Sequence, residues 1–167
     1  YSIYFNGATN ITFSGNEISG SNYSFFSSGH TLSNFNHVID TTNTVNGKTV
    51  YYYRYANNVT INHTHDPGFV GCYGCENFTV ENVSLVQNGF GALFANTSNS
   101  NVINCTIGSN YYGIFFTSGS DNNTIDNTLF YRNLKTKADF GNNNVFLDNN
   151  YYMEDFVAPG SNSWYSY

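Results

Sequence analysis

Basic side chains are almost missing from this sequence, with five Lys and Arg in 167 residues against eleven Asp and Glu, a formal charge of −6. Nucleic-acid binding needs clustered cations along a phosphate backbone. Lys48, Arg54, Arg132, Lys135 and Lys137 form no dense patch, so no nucleic-acid partner is expected. Runs of Ala, Leu, Glu and Lys are also absent, which excludes a helical solenoid. Leu is too scarce for leucine-rich repeats. No apolar run approaches the roughly 18 residues of a membrane span. Three cysteines leave at least one unpaired within the chain and declare no disulfide scaffold.

Aromatics and asparagine fill the space that charge leaves. Aromatic residues make up 19% of the chain and charged residues 10%, with 29 asparagines. Low charge alone would suit a disordered or low-complexity segment, but Tyr and Phe at this density can build a core. A chain of this length suits one domain, spanning residues 1–167.

The organising feature is a repeat. Hydrophobic hooks follow an asparagine at Asn10 (NITF), Asn58 (NVTI), Asn77 (NFTV), Asn101 (NVIN), Asn123 (NTID) and Asn144 (NVFL). A second column holds Ser2-Ile3-Tyr4-Phe5, Ser24-Phe25-Phe26, Phe69-Val70-Gly71, Ala92-Leu93-Phe94 and Ile114-Phe115-Phe116. Short aromatic or β-branched strands separated by Asn, Gly and Ser turns, at a period of about 22 residues, specify an all-β chain coiled as a parallel β-helix. About seven coils fit, starting near Tyr1, Tyr23, Thr49, Gly68, Gly91, Gly113 and Thr136. Equal positions in successive coils stack, so asparagines serve as left-handed turn residues and as amide ladders. Asn88 with Asn110, and Asn101 with Asn123 and Asn144, are the expected ladders.

Residues 36–48 break the period and read as an extruded loop or hairpin turning at Asn46-Gly47. Residues 151–167 abandon the pattern and read as a terminal cap. The abrupt start at Tyr1 inside a repeat suggests a processed or excised piece of a longer protein.

HVIDTTNTVNGKTVYYY, followed by GFVGCYGCENFTVENVSLVQNGFGALFANTSNSNVINCTIGSNYYGIFF, resembles the NosD-like parallel β-helix repeat proteins, over roughly residues 36–150. The resemblance implies a right-handed helix. It further implies three settings for such a chain: archaeal cell-surface proteins of S-layer-like or adhesin-like type, periplasmic copper delivery, and polysaccharide lyases and hydrolases.

Candidate chemistry is sparse. Carbohydrate cleavage needs converging carboxylates, and the acids are scattered; Asp126 and Asp148, one period apart with Arg132 nearby, make the best cluster. His63, His65, Cys72 and Cys75 are four soft donors within a short span, a candidate zinc or copper site. Stacking offers the plainer reading that Cys72 and Cys75 are small residues at the positions of Ala95 and Ser98, or form a local disulfide. No cofactor is otherwise expected. Nine Asn-x-Ser/Thr acceptors occur, of which Asn96, Asn22, Asn62 and Asn122 are the best candidates for glycan attachment. Alternation along GALF and GIFF turns one residue of each pair outward. An apolar column of Leu93 and Phe115, extended by Val70, Tyr51 and Tyr53, is the expected partner surface. Together these features lead to a non-catalytic, extracellular, structural or adhesive module of the cell surface. It would self-associate laterally or end to end into a lattice or filament, or bind cell-surface glycans. Polysaccharide cleavage and copper handling are the alternatives.

Overall fold

The computed structural model describes residues 2–152. Only the first two residues of the expected cap lie within that range. Among the described residues no helix is long and apolar enough to cross a membrane.

Seven coils follow one another. Coil 1 contains β1 (Ile3–Asn6), β2 (Thr12–Phe13) and β3 (Glu17–Ile18); coil 2 contains β4 (Phe25–Ser28), β5 (Val38–Ile39) and β6 (Thr44–Val45). Coil 3 has β7 (Lys48–Arg54) and β8 (Thr60–Ile61). Coil 4 has β9 (Phe69–Tyr73), β10 (Thr79–Glu81) and β11 (Ser84–Val86). Coil 5 has β12 (Phe90–Ala95), β13 (Asn101–Ile103) and β14 (Thr106–Gly108). Coil 6 has β15 (Tyr112–Phe116), β16 (Thr124–Asp126) and β17 (Leu129–Tyr131). Coil 7 has β18 (Lys135–Asp139), β19 (Val145–Leu147) and β20 (Asn150–Tyr152). From coil 3 onward every strand pairs in parallel with its counterpart one coil later, so Val80, Val102 and Ile125 form one buried column and Leu85, Ile107 and Phe130 another.

Among the described residues, left-handed turns account for eleven asparagines. Turning a coil requires left-handed backbone, which Asn adopts at lower cost than other non-glycine residues. Asn58, Asn77, Asn99, Asn122 and Asn143 hold φ between 52° and 57° at one corner; Asn82, Asn104, Asn127 and Asp148 hold 44° to 55° at another. A different set builds the ladders. The Asn88 N–H donates to Asn110 Oδ1 (2.8 Å), and the Asn110 N–H to Asn133 Oδ1 (3.0 Å), while the Asn110 amide donates to the Leu85 carbonyl. At a second corner the Ser100 N–H donates to Asn123 Oδ1 and the Asn123 N–H to Asn144 Oδ1. Asn101, expected in that ladder, pairs instead with Thr79 and Thr124, one place further on.

The N-terminal coils depart from a simple stack. β1, β2 and β3 pair in parallel with β4, β5 and β6. Of residues 36–48, β5 and β6 complete coil 2 and are not extruded, and Lys48 opens β7; what leaves the coil is the turn at Asn46 (φ 50°) and Gly47 (φ 78°). A two-residue hairpin wants positive φ at both positions, and this one sets β6 antiparallel to β7. The long sheet thus runs β3-β6-β7-β9-β12-β15-β18 with one antiparallel pair.

The reversal lays coils 1 and 2 on the outer face of the long sheet. Val70, Cys72, Ala92, Phe94, Ile114 and Phe116 point inside the coils. Phe69, Phe90 and Leu93 point outward, into a second core with Phe25, Phe26, Phe35 and Ile39. Phe26 stacks on Phe90 at 4.6 Å and Phe25 meets Phe69 at 4.9 Å. Gly89 donates to the Phe25 carbonyl (2.8 Å), an approach so close that a Cβ at Gly89 would lie 2.5 Å from that oxygen.

His37 is wholly buried in this second core. Its Nδ1 accepts from the Ile11 N–H, which leaves Nε2–H to donate to Ser27 Oγ. Burial lowers its pKa below the ordinary 6.5, so the unfolded chain binds the proton more readily. The stability this neutral imidazole supports is complete above about pH 6.5 and declines as pH falls below it. Urea midpoints measured across that range should fall on acidification, and His37→Gln should flatten the dependence. Asn110→Ala, which strands the Asn88 N–H and the Leu85 carbonyl, should cost roughly 2–4 kcal/mol by urea unfolding. Exposed Asn77→Gly should cost a few tenths.

Candidate functional site

A cleft of about 280 Å³ opens where the N-terminal coils end on the long sheet. One wall is the 3₁₀ turn Leu32–Phe35 with the loop before it, and the other is the far ends of β15 and β18. The turn is held firmly. Asn34 Oδ1 accepts from the Thr31 N–H and hydroxyl, its amide donates to the Gly7 carbonyl, and buried Tyr52 donates its hydroxyl to the Phe35 carbonyl. Gly29 is required there, because a Cβ would sit 2.2 Å from the Asn34 side chain.

Three phenyl rings line the cleft. Phe115 projects from β15 between buried Phe35 (centroids 6.0 Å apart) and Phe140 (5.7 Å), and Phe140 is 65% exposed. Exposed His30, Thr31 and Ser118 supply polar groups at its rim, and no Asp, Glu, Lys or Arg lines it. Such a mixture of apolar rings and a few polar groups is typical of small-molecule sites.

The carboxylates do not converge. Asp126 registers with Leu147, while Asp148 falls in the corner column of Asn104 and Asn127, so the two do not stack. Arg132 occupies another left-handed corner. Several acids are occupied as turn caps: Asp40 accepts from the Thr42 N–H, Asp121 from the Asn142 N–H, and Asp139 from the Gly141 N–H. Among the described residues no three His, Cys, Asp or Glu side chains gather in a metal-binding group. His63 and His65 lie on the 3₁₀ turn after β8, His65 bonded to Asn62. Cys72, within β9, and Cys75, just after it, are buried free thiols registered with Phe94 and Thr97, one place off the expected Ala95 and Ser98. Burial pushes the Cys72 thiol up, opposing the thiolate that metal binding needs.

The expected apolar column is corrected by parity. Val70, Tyr51 and Tyr53 belong to the inner core, because Val70 registers with Ala92, which points inside the coil. Leu93 does face outward, but coils 1 and 2 cover it entirely. Phe115 opens into the cleft, while Tyr51 and Tyr53 pack against the inner core and stay half-buried. The sequence offered no sign of Phe35, Phe140 or Ser118 as functional, since none lies in a repeat column. Of the acceptor asparagines, Asn96, Asn22 and Asn122 are exposed, whereas Asn62 is half-buried and accepts from the Thr64 N–H and hydroxyl.

No family model matches the chain, and no curated protein matches it. Among solved structures, a "putative glycosyl hydrolase" from Parabacteroides merdae is similar, at 14% identity and a TM-score of 0.49, over 87% of this chain and 83% of that one. The resemblance to NosD-like proteins is met at the level of a β-solenoid of stacked coils.

Thiol labelling checks the cysteine environment. Cys72, Cys75 and Cys105 are all free and buried, so a maleimide should modify none of them in the native protein within minutes and all of them in denaturant.

Proposed function

We propose that this chain is a non-catalytic, glycan-binding β-solenoid module of the cell surface, which takes a neutral sugar residue into the Phe35–Phe115–Phe140 cleft. The observation that carries the reading is a preformed, uncharged cleft with an exposed phenyl face and hydroxyl-bearing rim. A pyranose ring presents an apolar C–H face and a girdle of hydroxyls. The first suits Phe140 and Phe115, the second suits Thr31, Ser118 and His30. Cleavage has no support in the cleft, where no carboxylate stands ready to protonate a leaving oxygen or attack a ring carbon. Lateral association through Leu93 has none either, since that column is already covered by the chain itself. Exposed Asn96, Asn22 and Asn122 suit glycan attachment outside the cell.

Calorimetric titration with neutral oligosaccharides tests the reading. Phe140→Ala should weaken binding about tenfold, roughly 1.4 kcal/mol, with little change in the melting curve because the ring is largely exposed. Equal binding by this variant, or no binding of any neutral oligosaccharide by the unaltered protein, sinks the cleft as a sugar site.

A further inference from the structure

We infer that Arg54, with Tyr55, Tyr73 and Asn36, forms a second subsite that takes the carboxylate of an acidic sugar residue. Arg54 ends β7 on the outer face of the long sheet, half-buried, and has no acidic partner: the ion pair between Lys48 and Asp66 is the one found among the described residues. The carboxylate of Glu76, three residues beyond Tyr73, is engaged with the Asn99 amide. Arg54 Nε is buried and unpartnered among those residues, and so is Asn36 Oδ1. A guanidinium drawn partly out of water without an anion is a costly arrangement, and its planar fork matches a carboxylate.

The surroundings suit a sugar carrying that carboxylate. The guanidinium lies over the Tyr55 ring, 5.6 Å from its centroid. Tyr55 is 64% exposed, stands edge-on to Tyr73 at 5.5 Å, and receives the Asn36 amide on its hydroxyl. Gly74 keeps this platform open, since a Cβ there would lie 2.8 Å from the Tyr55 ring. The subsite thus offers an aromatic face, a phenolic hydroxyl, an amide and one unopposed positive charge.

Its position deepens the proposed function, on which it rests for the ligand being a saccharide. Arg54, Tyr73 and Ala95 lie in one register row of the long sheet. Thr117, on the cleft wall, continues that row, because its N–H bonds the Phe94 carbonyl. Cleft and subsite are therefore three strand spacings of about 4.8 Å apart. Ala95, between them, is itself covered, so an oligosaccharide engaging both passes over the side chains that cover it, with a neutral residue at the phenyl rings and an acidic one at Arg54.

Two measurements test the subsite. In calorimetry, a hexasaccharide that contains glucuronate should bind at least tenfold more tightly than its neutral counterpart at low salt. Arg54→Gln should abolish that preference, bringing the acidic hexasaccharide down to the affinity of its neutral counterpart. In nitrogen-15 spectra, the Arg54 Nε–H signal, shielded by burial, should shift on titration with free glucuronate and not with glucose. An acid preference that survives Arg54→Gln, or an Nε–H signal unmoved by glucuronate, overturns the subsite. If neither hexasaccharide binds while the Nε–H signal moves with glucuronate, the subsite stands and the cleft reading falls.

Discussion

Each coil must turn back on itself within about two dozen residues, and each turn demands backbone that L-amino acids avoid. Left-handed geometry is the constraint on which the rest of this structure depends. Asparagine meets it at Asn58, Asn77, Asn99, Asn122 and Asn143, all at φ above 50°, because its short amide tolerates the conformation. Once the corners are set, strands arrive in register and the interior columns follow. Amides such as Asn110 and Asn123 then satisfy the N–H groups that the turns leave behind. Stability is spread along the stack, with each coil depending on its neighbours.

Much of this was legible in the sequence. The coil period and the hairpin at Asn46-Gly47 could be read from spacing, as could the ladder roles of Asn88, Asn110, Asn123 and Asn144. Facing was harder. Side chains alternate with a period of two, so a one-place error in register moves a residue to the opposite face. Spacing alone puts Val70 outside with Leu93, although its register partner is the inward-pointing Ala92. The same single-place slip misplaced Asn101, Cys72 and Cys75. Repeats in a linear text reveal which residues are equivalent; they do not reveal which way each corner directs the strand that follows it.

The fold-back of coils 1 and 2 was not legible at all. A hairpin turn announces a reversal of direction, but not the surface on which the reversed segment lands. That surface is made by Phe69, Phe90 and Leu93, whose partners Phe25 and Phe26 lie far away in sequence. Both candidate binding features follow from the landing. The phenyl cleft exists because the turn carrying Phe35 stops short of covering Phe115. Asn36, the next residue, reaches Tyr55 on the other side. In the sequence, Arg54 is one basic residue within a tyrosine run, and its lack of an anionic partner is a property of space alone.

The order in which the chain leaves the ribosome gives the fold-back a further meaning. Coils 1 and 2 are made before the coils they pack on, with Phe25, Phe26 and Phe35 bound for a second core, yet the face they need is incomplete until β12 and β15 have followed. These two coils therefore have to wait for coils 4 to 6. Vectorial growth by adding each coil to the one before it, natural for a one-dimensional stack, is closed to them. Contacts of such sequence separation form slowly relative to local ones, and until they form Phe25, Phe26 and Phe35 lack their cover.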